Sequence, residues 1–167
     1  LMLWECPSLD KKKSIGVDAH SYDSPKEVII DGQQRLTSLY AVMKGKKVIN
    51  SKFDEKSIVI SYCPLQNKFE VGYQATKNDP EWIYNISDLF TSTNTFKFIG
   101  DFIKKLGDYR STKGSELTDE EQGLIADRIN SVVNLKSHTL PVFDIKSTAE
   151  EEDVSEIFVR VNSGGVS

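Results

Sequence analysis

VIIDGQQRLTSLY, from Val28 to Tyr40, is the segment around which this chain is organised. Its apolar, β-branched start ends at Asp31-Gly32, a residue pair typical of turns. Helical periodicity follows at once, because apolar residues recur at i, i+3, i+4 and i+7. The pattern therefore predicts a strand, a tight turn and a helix, whose apolar face would consist of Leu36, Leu39, Tyr40 and Met43.

The junction between this strand and this helix carries groups that suit a phosphate. Asp31 is placed to cap the helix, and Gln34 could complete a capping-box-like pair with it. Gly32 permits a positive φ or the close approach of a ligand. Open N–H groups of the first turn attract anions, and Arg35 adds a planar, permanently charged fork. The amides of Gln33 and Gln34 suit a base, a ribose or a water. A plain capped helix with a solvated or carboxylate-paired Arg35 is the simpler alternative.

A second candidate segment lies near the last residue. The helix predicted from Ala149 carries an apolar stripe that assigns Phe158 to the core. It ends near Asn162-Ser163-Gly164-Gly165, where successive backbone N–H groups could form an anion-binding nest and Arg160 would add charge. An ordinary glycine helix end explains the same residues equally well.

Two motifs give the chain a family resemblance. IDGQQRLTSL, from Ile30 to Leu39, resembles the signature of the DGQQR domain family. That family forms the N-terminal, S-type half of GmrSD-like type IV modification-dependent restriction enzymes and related phage-defence proteins. It is similar to the ParB/sulfiredoxin superfamily. The run from Phe158 to Gly165 resembles the family's second motif, F-x-x-x-N-S-x-G. The resemblance covers nearly the whole chain.

The resemblance implies an NTP-binding and NTP-hydrolysing domain, coupled to a separate C-terminal nuclease domain or subunit that cleaves modified DNA. Its second motif would fold back beside the DGQQR turn and complete one pocket. Phosphoryl chemistry would bring a divalent ion, Mg²⁺ being the usual one. A homodimer is left open. The residues assigned to catalysis are Asp31, Gln34 and Arg35, and those assigned to nucleotide binding are Gly32, Gln33, Arg160, Asn162, Ser163, Gly164 and Gly165.

Two other functions compete with this one. The first is a non-catalytic DNA-binding or sensing module that uses Arg35 and nearby lysines on the DNA backbone. The second is a ParB-like nuclease, which is disfavoured because no metal-ligand cluster is visible in the sequence. A Walker P-loop motif is absent as well. The carboxylates at Glu120-Glu121 and from Glu150 to Asp153 fall in first helical turns, where they stabilise the helix dipole.

Composition places the chain among soluble globular proteins. Its 167 residues are 38% hydrophobic and 28% charged, which predicts a single domain over residues 1–167. The net charge of −4 argues against a broad basic surface. Cys6 and Cys63 lie far apart, which is typical of a reduced, cytoplasmic protein. The sequence shows no signal peptide and no apolar run long enough for a membrane span.

The order of elements predicts an α+β fold, a ParB/sulfiredoxin-like mixed sheet with flanking helices. A strand at Leu1–Cys6 opens the chain, and the helices that precede it in the family are missing, so we expect a truncated domain. Steady βαβ alternation is absent, which disfavours a doubly wound sheet.

Further elements follow from local patterns. Strands at 57–62 and 68–73 form a hairpin, with Phe69, Val71 and Tyr73 facing the core. A helix near Thr95–Leu106 precedes a polar linker at 107–115. Capping boxes begin at Thr118 and Ser147, and a strand covers Thr139–Ile145.

Overall fold

The computed structural model describes residues 1–5, 27–50 and 53–163. Helices and mixed sheets both occur, so the predicted α+β class is confirmed. The strands are β1 Met2–Glu5, β2 Glu27–Asp31, β3 Lys47–Ile49, β4 Glu55–Ser57, β5 Ile60–Cys63, β6 Lys68–Val71 and β7 Phe143–Ile145. The helices are α1 Gln33–Lys44, α2 Gln74–Asn78, α3 Ile86–Thr91, α4 Thr95–Thr112, α5 Asp119–Asn134, a short 3-10 helix Leu135–Ser137 and α6 Glu151–Ser163.

The chain forms two compact units. Unit 1 comprises residues 1–37 and 139–167, and unit 2 comprises residues 38–138. The prediction of one domain over residues 1–167 stays a prediction.

Unit 1 is built on a mixed three-stranded sheet. Its order is β2-β1-β7, so that β1 is the central strand, antiparallel to β2 and parallel to β7. A small apolar core joins this sheet to α6, through buried Met2, Ile145 and Val154. Trp4, Ile30, Ala149 and Ile157 pack around those three residues. The sheet and α6 together hold the end of β2, where the DGQQR turn begins.

Unit 2 contains the larger core. The helices α3, α4 and α5 pack with the β5–β6 hairpin around fully buried Tyr62, Leu89, Leu106, Ile125 and Ile129. The Arg128 side chain of α5 donates from Nη1 to the carbonyl oxygens of Pro64 (2.7 Å) and Leu65 (2.6 Å), which fixes the hairpin turn.

Several local predictions are confirmed. The turn Pro64–Asn67 joins β5 to β6, as predicted. The capping box of α5 is present, with the Thr118 hydroxyl accepting from the Glu121 N–H and Glu121 accepting from the Thr118 N–H. Strand β1 also lies where the pattern predicts.

Other boundaries differ from the predictions. The strand expected at 57–62 is interrupted at residues 58–59, so that its two ends belong to different hairpins. Helix α4 continues through Gly107 to Thr112, because a glycine inside a helix lowers its stability without ending it. The strand expected at Thr139–Ile145 shortens to β7, which is an edge strand. Helix α6 is capped one turn later than expected, with the Asp153 carboxylate accepting from the Glu150 N–H at 3.1 Å.

Two predicted apolar faces were wrong. In α1 the buried residues are Ala41 and Val42; of the predicted face, Leu36 and Met43 are partly buried, while Leu39 and Tyr40 are exposed. In and just after β6 the side chains of Phe69, Val71 and Tyr73 are exposed rather than buried. Periodicity finds a stripe of apolar residues, but tertiary packing decides which side of an element is covered.

Some predictions fall outside the described part of the chain. They concern Cys6, Gly164 and Gly165. In the part of the chain that is described, no helix combines the length and the apolar character needed to cross a bilayer.

Candidate functional site

The DGQQR turn connects the edge strand β2 to α1. Strand β2 ends at Asp31 and α1 begins at Gln33, with Gly32 between them at a φ of +90°. The Gly32 carbonyl accepts the N–H of Leu36 at 2.8 Å, the first hydrogen bond of the helix. Gly32 is therefore the N-cap residue of α1, and the expectation that Asp31 fills this role was wrong.

Asp31 instead forms an ion pair across the first turn. Its Oδ2 accepts from Nη2 of Arg35 at 2.7 Å, and the two residues are four positions apart. The Arg35 side chain is 75% exposed and that of Asp31 is 29% exposed. The capping-box-like pair expected between Asp31 and Gln34 is not formed, because the structure shows no hydrogen bond between them. The Asp31 carboxylate therefore pairs with Arg35 instead of capping the helix.

A cavity of about 340 Å³ lies at this turn. Such a volume is at the lower end of the range typical of small-molecule sites. Every lining residue belongs to unit 1, so the cavity lies within a single compact unit. The lining residues are Ile30, Asp31, Gly32, Gln33, Gln34, Arg35 and Phe158.

The cavity contains the positive end of α1. The backbone N–H groups of Gln33, Gln34 and Arg35 belong to the first helical turn, where no intrahelical acceptor exists. The helix dipole and the exposed guanidinium add positive potential, while the Asp31 carboxylate partly balances it. Both glutamine side chains are exposed beside these groups. The arrangement suits an anion that also offers hydrogen-bonding atoms, as a phosphate ester does.

Phe158 forms the remaining wall of the cavity. The prediction that this residue is a core residue was wrong, because its side chain is 38% exposed and lines the cavity. The core contacts of α6 are made by Val154 and Ile157 instead. Periodicity alone could not separate Phe158 from those neighbours, although its place in the second motif was a signal for it.

The other residues of the second motif lie elsewhere. Arg160 pairs with Glu156 at 2.7 Å, Asn162 donates to the Phe158 carbonyl at 3.0 Å, and Ser163 donates to the Arg160 carbonyl at 3.2 Å. These three residues are not among those that line the cavity, and Gly164 and Gly165 are outside the described residues. The fold-back was expected for Asn162 to Gly165, whereas the described residue of this motif that lines the cavity is Phe158. The nucleotide-binding roles of the others stay predictions.

One group of carboxylates was missed by the sequence analysis. Glu5, Glu27 and Asp144 bring three carboxylate oxygens within 4.8 Å of one another in unit 1. Lys146 offsets part of this negative charge, since its Nζ donates to Asp144 at 2.7 Å and to Glu5 at 2.9 Å. These hydrogen bonds raise the pKa of Lys146 above its usual range. The pairing of β1 with β2 and β7 brings these residues together, and no sequence spacing signals it.

A comparison with known protein families gives a match that covers the whole chain. Residues 1–167 match the protein family described as the GmrSD restriction endonuclease, N-terminal domain. Comparison with curated proteins and with solved structures finds no match. The family match agrees with the resemblance carried by the DGQQR and F-x-x-x-N-S-x-G motifs.

Proposed function

Because this chain belongs to the family of GmrSD restriction endonuclease N-terminal domains, we propose that it binds and hydrolyses a nucleoside triphosphate. In this role it would regulate a restriction enzyme that cleaves modified DNA in phage defence. Membership in the family itself gives the restriction role. The nucleotide chemistry, the dependence on DNA modification and the coupling to a nuclease in another domain or subunit are the proposal.

The observation that carries the proposal is the cavity at the start of α1. It combines first-turn N–H groups, an exposed guanidinium and two amide side chains within one compact unit. These are the donors that phosphate groups require. A nucleic-acid backbone would also be attracted to them, but a concave site of about 340 Å³ favours a small ligand over an extended duplex.

The lining residues can be given roles from their contacts. Arg35 has five N–H donors and uses Nη2 on Asp31, so the guanidinium has donors left for phosphate oxygens. Asp31 accepts from Arg35, and a phosphate that binds Arg35 competes with it. The released carboxylate would then order or deprotonate the attacking water. Gln33 and Gln34 would hold the nucleotide or the water in position.

The residues present fit a Mg²⁺ ion that arrives with the nucleotide. Mg²⁺ is commonly held by one or two carboxylates together with substrate phosphates and waters. Asp31 supplies one carboxylate at the cavity, where it would hold a water of the ion while the nucleotide phosphates bind the ion directly. When bound, the ion would neutralise charge that develops on the phosphates. Arg160, Asn162, Ser163, Gly164 and Gly165 would close over the phosphates, as the family resemblance implies.

Thermal unfolding with each of ATP, GTP, CTP and UTP in the presence of Mg²⁺ tests the proposal. A ligand at about one hundred times its Kd stabilises the folded chain by about 2.7 kcal/mol. Arg35→Ala should abolish the rise in midpoint. Lys44→Ala is the matched control, because it removes an exposed positive charge from the opposite end of the same helix.

The results separate the proposal from its main competitor. Loss of the shift in Arg35→Ala but not in Lys44→Ala would support nucleotide binding at the DGQQR turn. A shift that both variants retain would contradict it. DNA binding without any nucleotide shift, weakened steeply by salt, would instead support the DNA-sensing module.

A further inference from the structure

Phe158 gives the cavity a chemical character that phosphate binding does not require. The other side chains at the DGQQR turn are mostly polar, whereas the phenyl ring offers only an apolar face. The ring stays partly exposed although its neighbours Val154 and Ile157 are packed in the core of unit 1. A ligand that contacts both this ring and the start of α1 needs an apolar part as well as an anionic part, and a flat aromatic group suits the ring face best.

We propose that Phe158 is the base-stacking residue of this site and that the ligand is a nucleoside phosphate rather than an inorganic polyphosphate. This inference rests on the proposed function, and it adds the part of the ligand that the ring recognises. The phosphates would lie at the start of α1, and the base would lie against Phe158. Arg35 and Phe158 would thus bind opposite ends of one molecule.

Stacking also has a consequence for specificity. Every nucleobase has a π face, so an aromatic ring binds all of them with little preference. Any preference for one base must then come from hydrogen bonds to its edge. Among the lining residues, the side chains of Gln33 and Gln34 carry both donors and acceptors for this purpose. Phe158 would set affinity for nucleotides as a class, and the glutamines would set the choice among them.

Helix α6 offers a matched control. Val161 is more exposed than Phe158 and is not among the residues that line the cavity. Replacing it tests whether any loss of apolar surface from this helix weakens binding. Phe158→Leu keeps an apolar side chain but removes the ring, and Phe158→Tyr keeps the ring.

The experiment is calorimetric titration of the full chain with a nucleoside triphosphate and, separately, with inorganic tripolyphosphate, both with Mg²⁺. Phe158→Leu should weaken nucleotide binding by roughly 5- to 150-fold, the range expected for one stacked base, and leave tripolyphosphate binding unchanged. Val161→Ala should bind the nucleotide like the unmodified chain, and Phe158→Tyr, which keeps the ring, should bind it more tightly than Phe158→Leu does. Unchanged unfolding midpoints without ligand would show that each variant is folded.

Each contrary result of these titrations would refute one particular part of the proposal. Equal affinity of Phe158→Leu and the unmodified chain for the nucleotide would overturn the stacking role and leave the phosphate site intact. Equal losses for nucleotide and tripolyphosphate would show that the ring supports the site instead of contacting a base. Failure of the unmodified chain to bind either compound would overturn the proposed function itself. Tighter binding of a short oligonucleotide, with the same loss in Phe158→Leu, would assign the ring to DNA.

Discussion

Gly32 is the residue on which the geometry of the site depends. Its φ of +90° belongs to the region that side chains with a Cβ rarely adopt, and it turns β2 into α1 within one residue. A Cβ at this position would lie 2.5 Å from Cδ2 of Leu1 and 3.7 Å from Nη2 of Arg35. The backbone conformation and the crowded space therefore both favour glycine here.

Gly32→Ala should destabilise the chain by about 1–3 kcal/mol, the usual cost of a strained backbone conformation. Chemical denaturation followed by circular dichroism measures this change. Gly123→Ala is the control, because Gly123 lies inside α5 without a positive φ and a Cβ there meets nothing within 4 Å. That variant should be stabilised by about 0.5–1 kcal/mol. Equal effects of the two substitutions would contradict the role assigned to Gly32.

Asp31→Asn separates nucleotide binding from hydrolysis. The amide keeps the size of the carboxylate but cannot act as a base, so hydrolysis should fall by about 10²- to 10⁴-fold. Binding should be kept or strengthened, since Arg35 would lose its anionic partner at 2.7 Å. Parallel measurements of hydrolysis rate and of Kd test both statements. Loss of binding with the hydrolysis rate unaffected at saturation would contradict the roles given to Asp31 and Arg35.

For single residues, the sequence indicated which residues belong to the site better than it indicated which partners their side chains contact. A positive φ at Gly32 was one of the two roles that the sequence left open for this glycine, and the structure shows it. The ion pair between Asp31 and Arg35 corresponds to the simpler alternative, in which a carboxylate neutralises the arginine. Phe158 was misplaced because an apolar stripe does not show which of its members the core covers.

The elements of this chain form where local signals agree with one another. Helix α5 has a complete capping box, with Thr118 at the N-cap and Glu121 at the third helical position. The pKa of Glu121 is lowered, chiefly by the hydrogen bond that its carboxylate accepts from the backbone N–H of Thr118. The positive charge of Arg110 lowers this pKa further. The start of α5 should consequently be sensitive to pH.

Glu121→Gln should destabilise the chain by about 0.3–1 kcal/mol near pH 7, because the amide can still accept from Thr118 but lacks the charge that favours the helix N-terminus and Arg110. A depressed folded-state pKa adds stability above the unfolded-state value, ordinarily about 4.5, and that stability is lost as the pH falls through the folded-state pKa. The difference between the variant and the unmodified chain should therefore vanish in acid. Urea unfolding between pH 7 and pH 2 measures it.

Glu120→Gln is the control for this pH profile. Glu120 lies in the same first turn but takes no part in the capping box. Its replacement should give a smaller difference at pH 7. A destabilisation by Glu121→Gln that persists at pH 2 would show that packing, rather than the ionised cap, explains the effect.

Elements were harder to predict where a signal is weak by itself. Gly107 in α4 suggested the start of a linker, but six residues of helix follow Leu106. The alternation in β6 suggested a buried face, but a two-stranded hairpin leaves one face uncovered, and Phe69 and Val71 are exposed. Both errors concern tertiary context, which short windows of sequence do not contain.

The two compact units differ in the size of their cores and in which of them contains the candidate site. Among its described residues, unit 1 has a small core around buried Met2, Ile145 and Val154, and it carries the candidate nucleotide cavity. Unit 2 has the larger core and includes buried Cys63, whose thiol pKa is raised by burial. The α+β class could be predicted from the mixture of element types, whereas the division into units could not, because distant segments form unit 1.

The site depends on the same long-range assembly. Residues 30–35 could be selected from local sequence, but Phe158 reaches the cavity only because α6 packs on the sheet that contains β2. The family motifs implied that the two segments lie together, but neither they nor periodicity assigned Phe158 to the cavity. The restriction role therefore follows from the family, and the residues of the site follow from the fold.

Residue-resolved amide hydrogen exchange, with and without a nucleoside triphosphate and Mg²⁺, tests the central claim most directly. The N–H groups of Gln33, Gln34 and Arg35 should exchange more slowly when phosphate accepts from them, and this protection should disappear in Arg35→Ala. The N–H of Phe96, in the first turn of α4, should be unaffected. Protection that appears elsewhere while these three amides exchange unchanged would contradict phosphate binding at the DGQQR turn.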